Sequence, residues 1–272
     1  MVLLAILLGA IVGFSLGLTG GGGAIFAVPL LVYGLAVGPS EAVGISLASV
    51  GAMSGLGLVG RWRTGHVEPK TGLIFAAAGM LGAPVGSWLA GQMAPELLLL
   101  LFAVLMLVVA ARMWIGAHSA APLLASTPEV DGAGPTCRRD PGGVLRLTSH
   151  CAGLLAVVGL GTGILAGLFG VGGGFVIVPA LIVFSGMSIH RAVGTSLLVI
   201  TLISFAGVGS HLLMGRSISL PTMLLFVVGG STGMALGILA SYRLSGAILQ
   251  RAFAITILAV ALFVMSKSVY QF

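Results

Sequence analysis

Along the chain, apolar residues come in long blocks with the polar residues confined between them. The blocks fall at about 2–18, 24–37, 42–60, 72–90 and 97–115, and again at about 151–168, 174–187, 193–213, 221–241 and 249–268. The stretches Leu97–Ala111 and Leu249–Met265 carry one charge or none. Runs near 20 apolar residues are long enough to cross a bilayer core of about 30 Å as helices. The runs are continuous and lack the two-residue alternation of a transmembrane β-barrel. Two blocks, 24–37 and 174–187, hold only 14 residues each, about 21 Å of helix. That is short for a crossing, so they are expected to be half-helices or arms of a broken or re-entrant segment. The expected fold class is all-α, a polytopic transmembrane helical protein.

The same string of blocks occurs twice. A shift of 150 residues lays Gly9, Gly13 and Gly17 on Gly159, Gly163 and Gly167, and Gly20, Gly22 and Gly23 on Gly170, Gly172 and Gly173. It lays Pro29 on Pro179, Ala42-Val43-Gly44 on Ala192-Val193-Gly194, Ser46 on Ser196, Ser54 on Ser204 and Gly65 on Gly215. After a one-residue slip, Gly82, Gly86 and Phe102 meet Gly233, Gly237 and Phe253. Self-similarity at one offset is the signature of a repeated structural unit. The expected organisation is a transmembrane repeat over 1–115, a polar linker over 116–149 and a second transmembrane repeat over 150–272. Each repeat has about four crossings and a Gly-broken or re-entrant first segment. If each broken pair makes one crossing, the repeats are parallel; if it makes a hairpin or two crossings, they are inverted. The charges at the segment ends leave that choice open.

Composition supports a membrane solvent. Of the 272 residues, 58% are hydrophobic and 7% charged, and the mean hydropathy is +1.21. A soluble domain carries about 25% charged residues. The net charge of +6 is no sign of nucleic acid, because the basic residues lie at segment ends, where topology rules put them. The Arg61/Arg63/Lys70 loop and the Arg138/Arg139/Arg146 linker are both expected to be cytoplasmic. No Lys or Arg precedes Arg61, so the first block lacks the basic leader of a signal peptide and is expected to be retained. The two cysteines, Cys137 and Cys151, fit neither a zinc motif nor a redox pair, and imply no disulfide framework. No cofactor and no metal is expected.

The glycines divide into two sets with different physical jobs. Gly9/Gly13/Gly17, Gly159/Gly163/Gly167, Gly82/Gly86 and Gly233/Gly237 recur every four residues. That spacing bares one helix face and lets a neighbouring backbone approach, which is a packing signal. Gly161-Thr162-Gly163 opens a formal dinucleotide fingerprint, but the fingerprint needs a strand and a βαβ unit around it. The second set is clustered: Gly20, Gly21, Gly22 and Gly23, and Gly170, Gly172, Gly173 and Gly174. A glycine inside a helix costs about 1 kcal/mol relative to Ala. The backbone groups it frees at membrane depth must be buried in protein or line a cavity. Broken helices at matching places in two repeats point to a binding site. Helix N-termini near Ala24 and Phe175 would aim free N–H groups and a positive dipole end at that cavity, which suits an anion. The alternative is a hinge or a tight helix crossing with no ligand.

The string G-x-x-x-G-L-x-G-x-G-G-G-x-x-x-x-P, from Gly163 to Pro179, resembles the sulfite exporter TauE/SafE family of membrane permeases. So does Ala192-Val193-Gly194-Thr195-Ser196-Leu197, and Gly13 to Pro29 and Glu41-Ala42-Val43-Gly44-Ile45-Ser46 give the first-half copies. The resemblance covers nearly all of the chain outside 116–149. It implies export or uptake of sulfite, sulfonates and related sulfur or organic anions. One departure is Ile45 where the second half has Thr195, so the two half-sites cannot be chemically equal.

Few polar groups lie at membrane depth, and those are functional candidates by default. Ser46, Ser54, Thr195, Ser196 and Ser204 could donate to the oxygens of an anion or bond back to their own helices. Arg61 and its equivalent His211 end the third blocks. Arg61, beside Arg63, reads best as a topology anchor snorkelling to the interface, with pairing to an oxyanion as the alternative. His211 could shuttle a proton or bind an anion when protonated. Glu41 and Arg191 open helices, with Ser40 and Ser188 read as caps and Glu41 as an acid in the first turn; Glu41 and His211 are also the candidate proton carriers if a proton gradient drives transport. Arg191 opposes that dipole, and service to the anion is its alternative role. Trp62, Trp88 and Trp114 read as interfacial anchors.

The function expected is a secondary permease or exporter for a small anion in a bacterial inner membrane, bound between the two glycine breaks, with the bilayer and in some cases a second copy as partners. An anion channel or a helper subunit is the alternative. An intramembrane hydrolase is disfavoured, because the chain has neither H-E-x-x-H nor G-x-S-x-G and the adjacent Ser210 and His211 point in different directions on a helix.

Overall fold

A computed structural model describes residues 2–94, 97–98, 100–102, 104–105, 107 and 149–241. The block expected over 249–268 lies outside the described residues, as do most of 97–115 and all of 116–149 except Ser149, which already belongs to a helix.

Eight α-helices are bounded within this region. They are α1 (Val2–Thr19), α2 (Ala24–Pro29), α3 (Pro39–Arg63), α4 (Pro69–Gln92), α5 (Ser149–Phe169), α6 (Gly174–Ser185), α7 (Ile189–Leu213) and α8 (Leu220–Ser241). All but the short α2 and α6 are long and apolar enough to cross a membrane. A proline opens α3 and α4 in the first turn, where its missing N–H costs nothing. After α2 the chain widens into a π-helical turn, Leu30–Gly34. Half-exposed or exposed side chains such as Leu3, Leu81, Phe205 and Leu213 coat the outside, as lipid contact requires.

Three contact sets fix the helix directions. Gly9, Gly13 and Gly17 of α1 face the backbones of Phe226, Gly230 and Met234 of α8, so these two helices run the same way. Gly82 and Gly86 of α4 face Leu160 and Ile164 of α5, while Gly163 and Gly167 face Gly79 and Ala83; this pair is also parallel. Between them, α3 and α7 cross antiparallel, with Gly44 against His211, Gly51 against Ser204 and Gly55 against Thr201. They form the centre of the molecule: 67% and 72% of their apolar windows are buried, against 33–44% for the other four long helices. Met53 and Gly57 of α3 meet Gly230 and Met234 of α8, which aligns α3 with α1 and α8. Gly72 and Gly79 meet Leu198 and Ile203, which aligns α7 with α4 and α5.

Two opposed groups result, α1/α3/α8 and α4/α5/α7. Helices 150 residues apart therefore point in opposite directions, as inverted repeats would. The start of α5 also lies on the same side as the Arg61–Lys70 loop. The four-residue glycine stripes do the packing work expected of them, and they do it between the halves of the chain rather than within one half. Each half supplies three long crossings here, plus the short second arm.

Those short arms are hairpin returns. Gly23 packs on Val12 and Leu16 of α1, and Gly34 reaches Leu8, so α2 and its π-helical turn run back along α1. Gly173 packs on Thr162 and Ala166, so α6 folds back along α5. The second short helix starts at Gly174, one residue before the expected Phe175.

Candidate functional site

The two hairpin tips meet in the interior. Gly20, Gly170, Gly172 and Gly173 have φ of +73°, +70°, +65° and +67°, the left-handed region in which a side chain is strained. These glycines let each chain reverse within three or four residues. Gly21 lies on the backbone of Gly174: a methyl on either would come within 2.4 to 2.9 Å of the other.

Each tip also rests on the central helix of the opposite half. Gly20 sits on Val193 of α7, and Gly170 on Val43 of α3. The first tip is pinned by hydroxyls. Thr19 Oγ1 donates to the Ser15 carbonyl (2.7 Å) and accepts the Gly22 N–H (3.0 Å). Ser196 Oγ donates to the Gly20 carbonyl (2.5 Å) and shares its proton with the Val193 carbonyl (2.8 Å). Gly172 of the second tip faces Ile200, Val50 and the hydroxyl of Ser204, which would lie 3.3 Å from a methyl placed there.

The hydroxyls on the helices differ in whether they are bonded. Thr162, Ser185, Thr201, Ser231, Thr232 and Ser241 donate to carbonyls of their own helices. Ser46, Ser49, Ser54 and Ser204 are at most 1% exposed and have no partner among the described residues. All four lie on α3 and α7. A buried hydroxyl without a partner costs about 1–3 kcal/mol, which sets these four apart from the hydroxyls bonded to their own helices. Thr195 is not among them, since its Oγ1 accepts the Glu68 N–H at 3.0 Å and holds the α3–α4 loop against α7.

The charged candidates separate from the tips. Arg61 is 1% exposed; Nη2 donates to Ser241 Oγ at 2.8 Å and to the Gly17 carbonyl at 3.4 Å. It is a buried clamp across the ends of α1, α3 and α8, not the snorkelling anchor its neighbour Arg63 suggests. Arg191 is about half exposed and pairs with Glu68 across 3.4 Å. Glu41 is half-buried in the first turn of α3. Neither Ser40 nor Ser188 caps a helix with its side chain: Gly38 is the residue before α3, and Ser188 makes no capping bond. His211 is fully buried with neither ring nitrogen partnered among the described residues. Trp62 and Trp88 are exposed, as anchors should be. Cys151, from which no disulfide was expected, is disulfide-bonded.

Sequence reasoning missed Ser49, Glu68 and Arg216. Ser49 could have been found one helical turn beyond Ser46. Arg216 donates to the Ser87 carbonyl at 3.1 Å, a contact 129 residues away that no local pattern signals.

A family model described as sulfite exporter TauE/SafE matches residues 5–264. Two proteins of Xylella fastidiosa, each named "Probable membrane transporter protein", are similar to the chain. The one from strain 9a5c is 37% identical, and the one from strain Temecula1 36%, each over 263 residues that span 96% of this chain and 93% of the relative. No solved structure matches. With the family model matched over nearly its whole length, the chain belongs to the sulfite exporter TauE/SafE family and is a multi-pass membrane transporter.

Proposed function

We propose that this transporter is a secondary permease for a small oxyanion, sulfite or an organosulfonate, in a bacterial inner membrane. The observation that carries the reading is the meeting of two glycine hairpin tips, one of which faces the buried, unpartnered hydroxyl of Ser204 on α7. The tips offer glycine backbone from Gly20–Gly23 and from Gly170, Gly172, Gly173 and Gly174. The short second arms start there, and a helix N-terminus contributes partial positive charge, roughly half an elementary charge. Ser46, Ser54 and Ser204 supply O–H donors. Together they bind an oxyanion without a midplane cluster of Lys and Arg, whose stronger hold would slow release.

Because Gly21 and Gly174 touch, the anion sits beside their contact, against Ser204, rather than between them. Ser196 acts by holding the first tip, and Thr195 by holding the α3–α4 loop. The segments 1–115 and 150–272 act as an inverted pair of modules joined by a cytoplasmic linker. Opposed modules around one central site suit alternating access by rocking.

Efflux of sulfite and of ethanesulfonate from proteoliposomes tests the proposal. Ser204→Ala is expected to fold and to raise KM about tenfold, the loss of one hydrogen bond to a charged ligand. Thr201→Val, at a hydroxyl already bonded to its own helix, should leave KM unchanged. Saturation separates a permease from a channel. Wild-type protein that moves neither anion, or a Ser204→Ala variant with unchanged KM, refutes the site.

A further inference from the structure

Positions 61 and 211 are equivalent in the two halves, each in the last turn of a central helix, and they sit at opposite ends of the molecule. One carries a permanent cation and the other a group that can take or lose a proton. Arg61 is clamped by the Gly17 carbonyl and Ser241. His211 is equally buried, yet its Nδ1 and Nε2 have no partner among the described residues. Its ring lies flat enough on α3 that only glycine fits opposite: a methyl at Gly44 would stand 2.5 Å from Nε2.

An imidazole always has one N–H to give and one lone pair to receive. Burial with both idle is unfavourable unless the ring acquires partners during the working cycle. A proton on the ring and an anion held against Ser204, two helical turns along α7, attract each other in this apolar setting. Among the described residues, few other charges stand near this end. Glu41 opens α3, and Arg216 follows α7; its guanidinium donates to the Ser87 carbonyl and is close enough to act on the His211 ring electrostatically, opposing a second positive charge there. Glu41, Arg216, Gly38 and Gly215 line an open cleft of about 440 Å³ at this end of α3 and α7.

We propose that His211 is the proton-binding group of the transporter, and that anion binding and protonation of His211 are coupled. This rests on the permease reading above. Binding linkage is reciprocal, so an anion that binds better to the imidazolium must raise the affinity of His211 for its proton by the same factor. The charge carried with the anion is then offset by a proton taken up at the end of the molecule opposite the Arg61–Lys70 loop. No bond to the anion is made or broken; the proton comes from and returns to water.

The test uses full-length protein and ethanesulfonate, whose charge does not change over the range used. Flux into proteoliposomes is measured at equal inside and outside pH between about 5.5 and 7.5, which brackets the ordinary histidine range. Wild-type flux should rise by at least about tenfold toward the acid end, as the protonated fraction of any single group titrating at or below the ordinary histidine range does. His211→Gln should lose that slope, and His211→Arg, a fixed cation as at position 61, should also be flat. A wild-type slope retained in both variants, or a flat wild-type profile, overturns the inference while leaving anion transport intact. Ring 15N shifts of His211 in nanodiscs give a reading independent of flux. Added ethanesulfonate should move the titration midpoint upward, and a midpoint unmoved by the anion overturns the coupling. Absence of any ethanesulfonate or sulfite flux, with the anion still moving that midpoint, instead sinks the transport reading and leaves the coupled site standing.

Discussion

Replacing Gly13 by Ala puts a single methyl group where the backbone of Gly230 already lies. The added Cβ would stand 1.8 Å from the Gly230 carbonyl oxygen, 2.5 Å from its carbon and 2.7 Å from its Cα. Ordinary contact begins near 3.5 Å, so α1 and α8 must part by roughly 1.5 Å locally. No side chain can turn aside, because every atom in the way is main chain. Separation would also loosen the flanking contacts of Gly9 with Phe226, Gly17 with Met234, and Gly233 with Ala10. Overpacking of a tight core costs about 1–3 kcal/mol, and the rigid partner places this substitution at the upper end, about 3 kcal/mol. Gly161→Ala is the matched control, since nothing lies within 4 Å of a methyl there; losing a helix-interior glycine should stabilise by about 0.5–1 kcal/mol. Reversible unfolding of the purified protein in mixed micelles measures both. Equal stabilities for the two variants would refute the packing argument and with it the parallel pairing of α1 with α8.

Two further substitutions separate buried charge from exposed charge. Arg61→Lys keeps the charge but cannot reach both Ser241 and the Gly17 carbonyl with the same planar group, so stability in the same assay should fall by about 2 kcal/mol or more; a snorkelling anchor would accept lysine without loss. Arg191→Ala breaks a partly exposed pair with Glu68 worth less than about 1 kcal/mol, and anion flux should stay within experimental error of wild type, whereas a large flux loss would mean that Arg191 serves the anion.

The features legible in the sequence were those with a local physical cause. A four-residue glycine period can only bare a helix face, and a glycine cluster at membrane depth can only break a helix. The breaks at Gly20–Gly23 and Gly170–Gly174 followed, and so did their approach. Whether each break continued across or turned back was not legible. A short apolar arm has the same composition either way, and the end charges were evenly split. Only the packing of Gly23 on Val12 and Leu16 decides it. Side-chain duties failed for a related reason. Ser196 and Thr195 look alike with Ser46 in sequence, yet their hydroxyls are taken by Gly20 and Glu68, partners 176 and 127 positions away. Arg61 looked interfacial because Arg63 is beside it; its burial depends on Ser241, 180 positions on.

The exchange of helix partners between the two halves also bears on how the protein is made. Among the described residues the glycine face of α1 closes on α8, which leaves the ribosome some 200 residues later. Until then no described residue of the first half closes that backbone groove. The first helix is therefore expected to reach its final packing only after α8 has been made, whatever its own hydrophobicity. It is the arrival of residues 220–241 that locks the first helix in place.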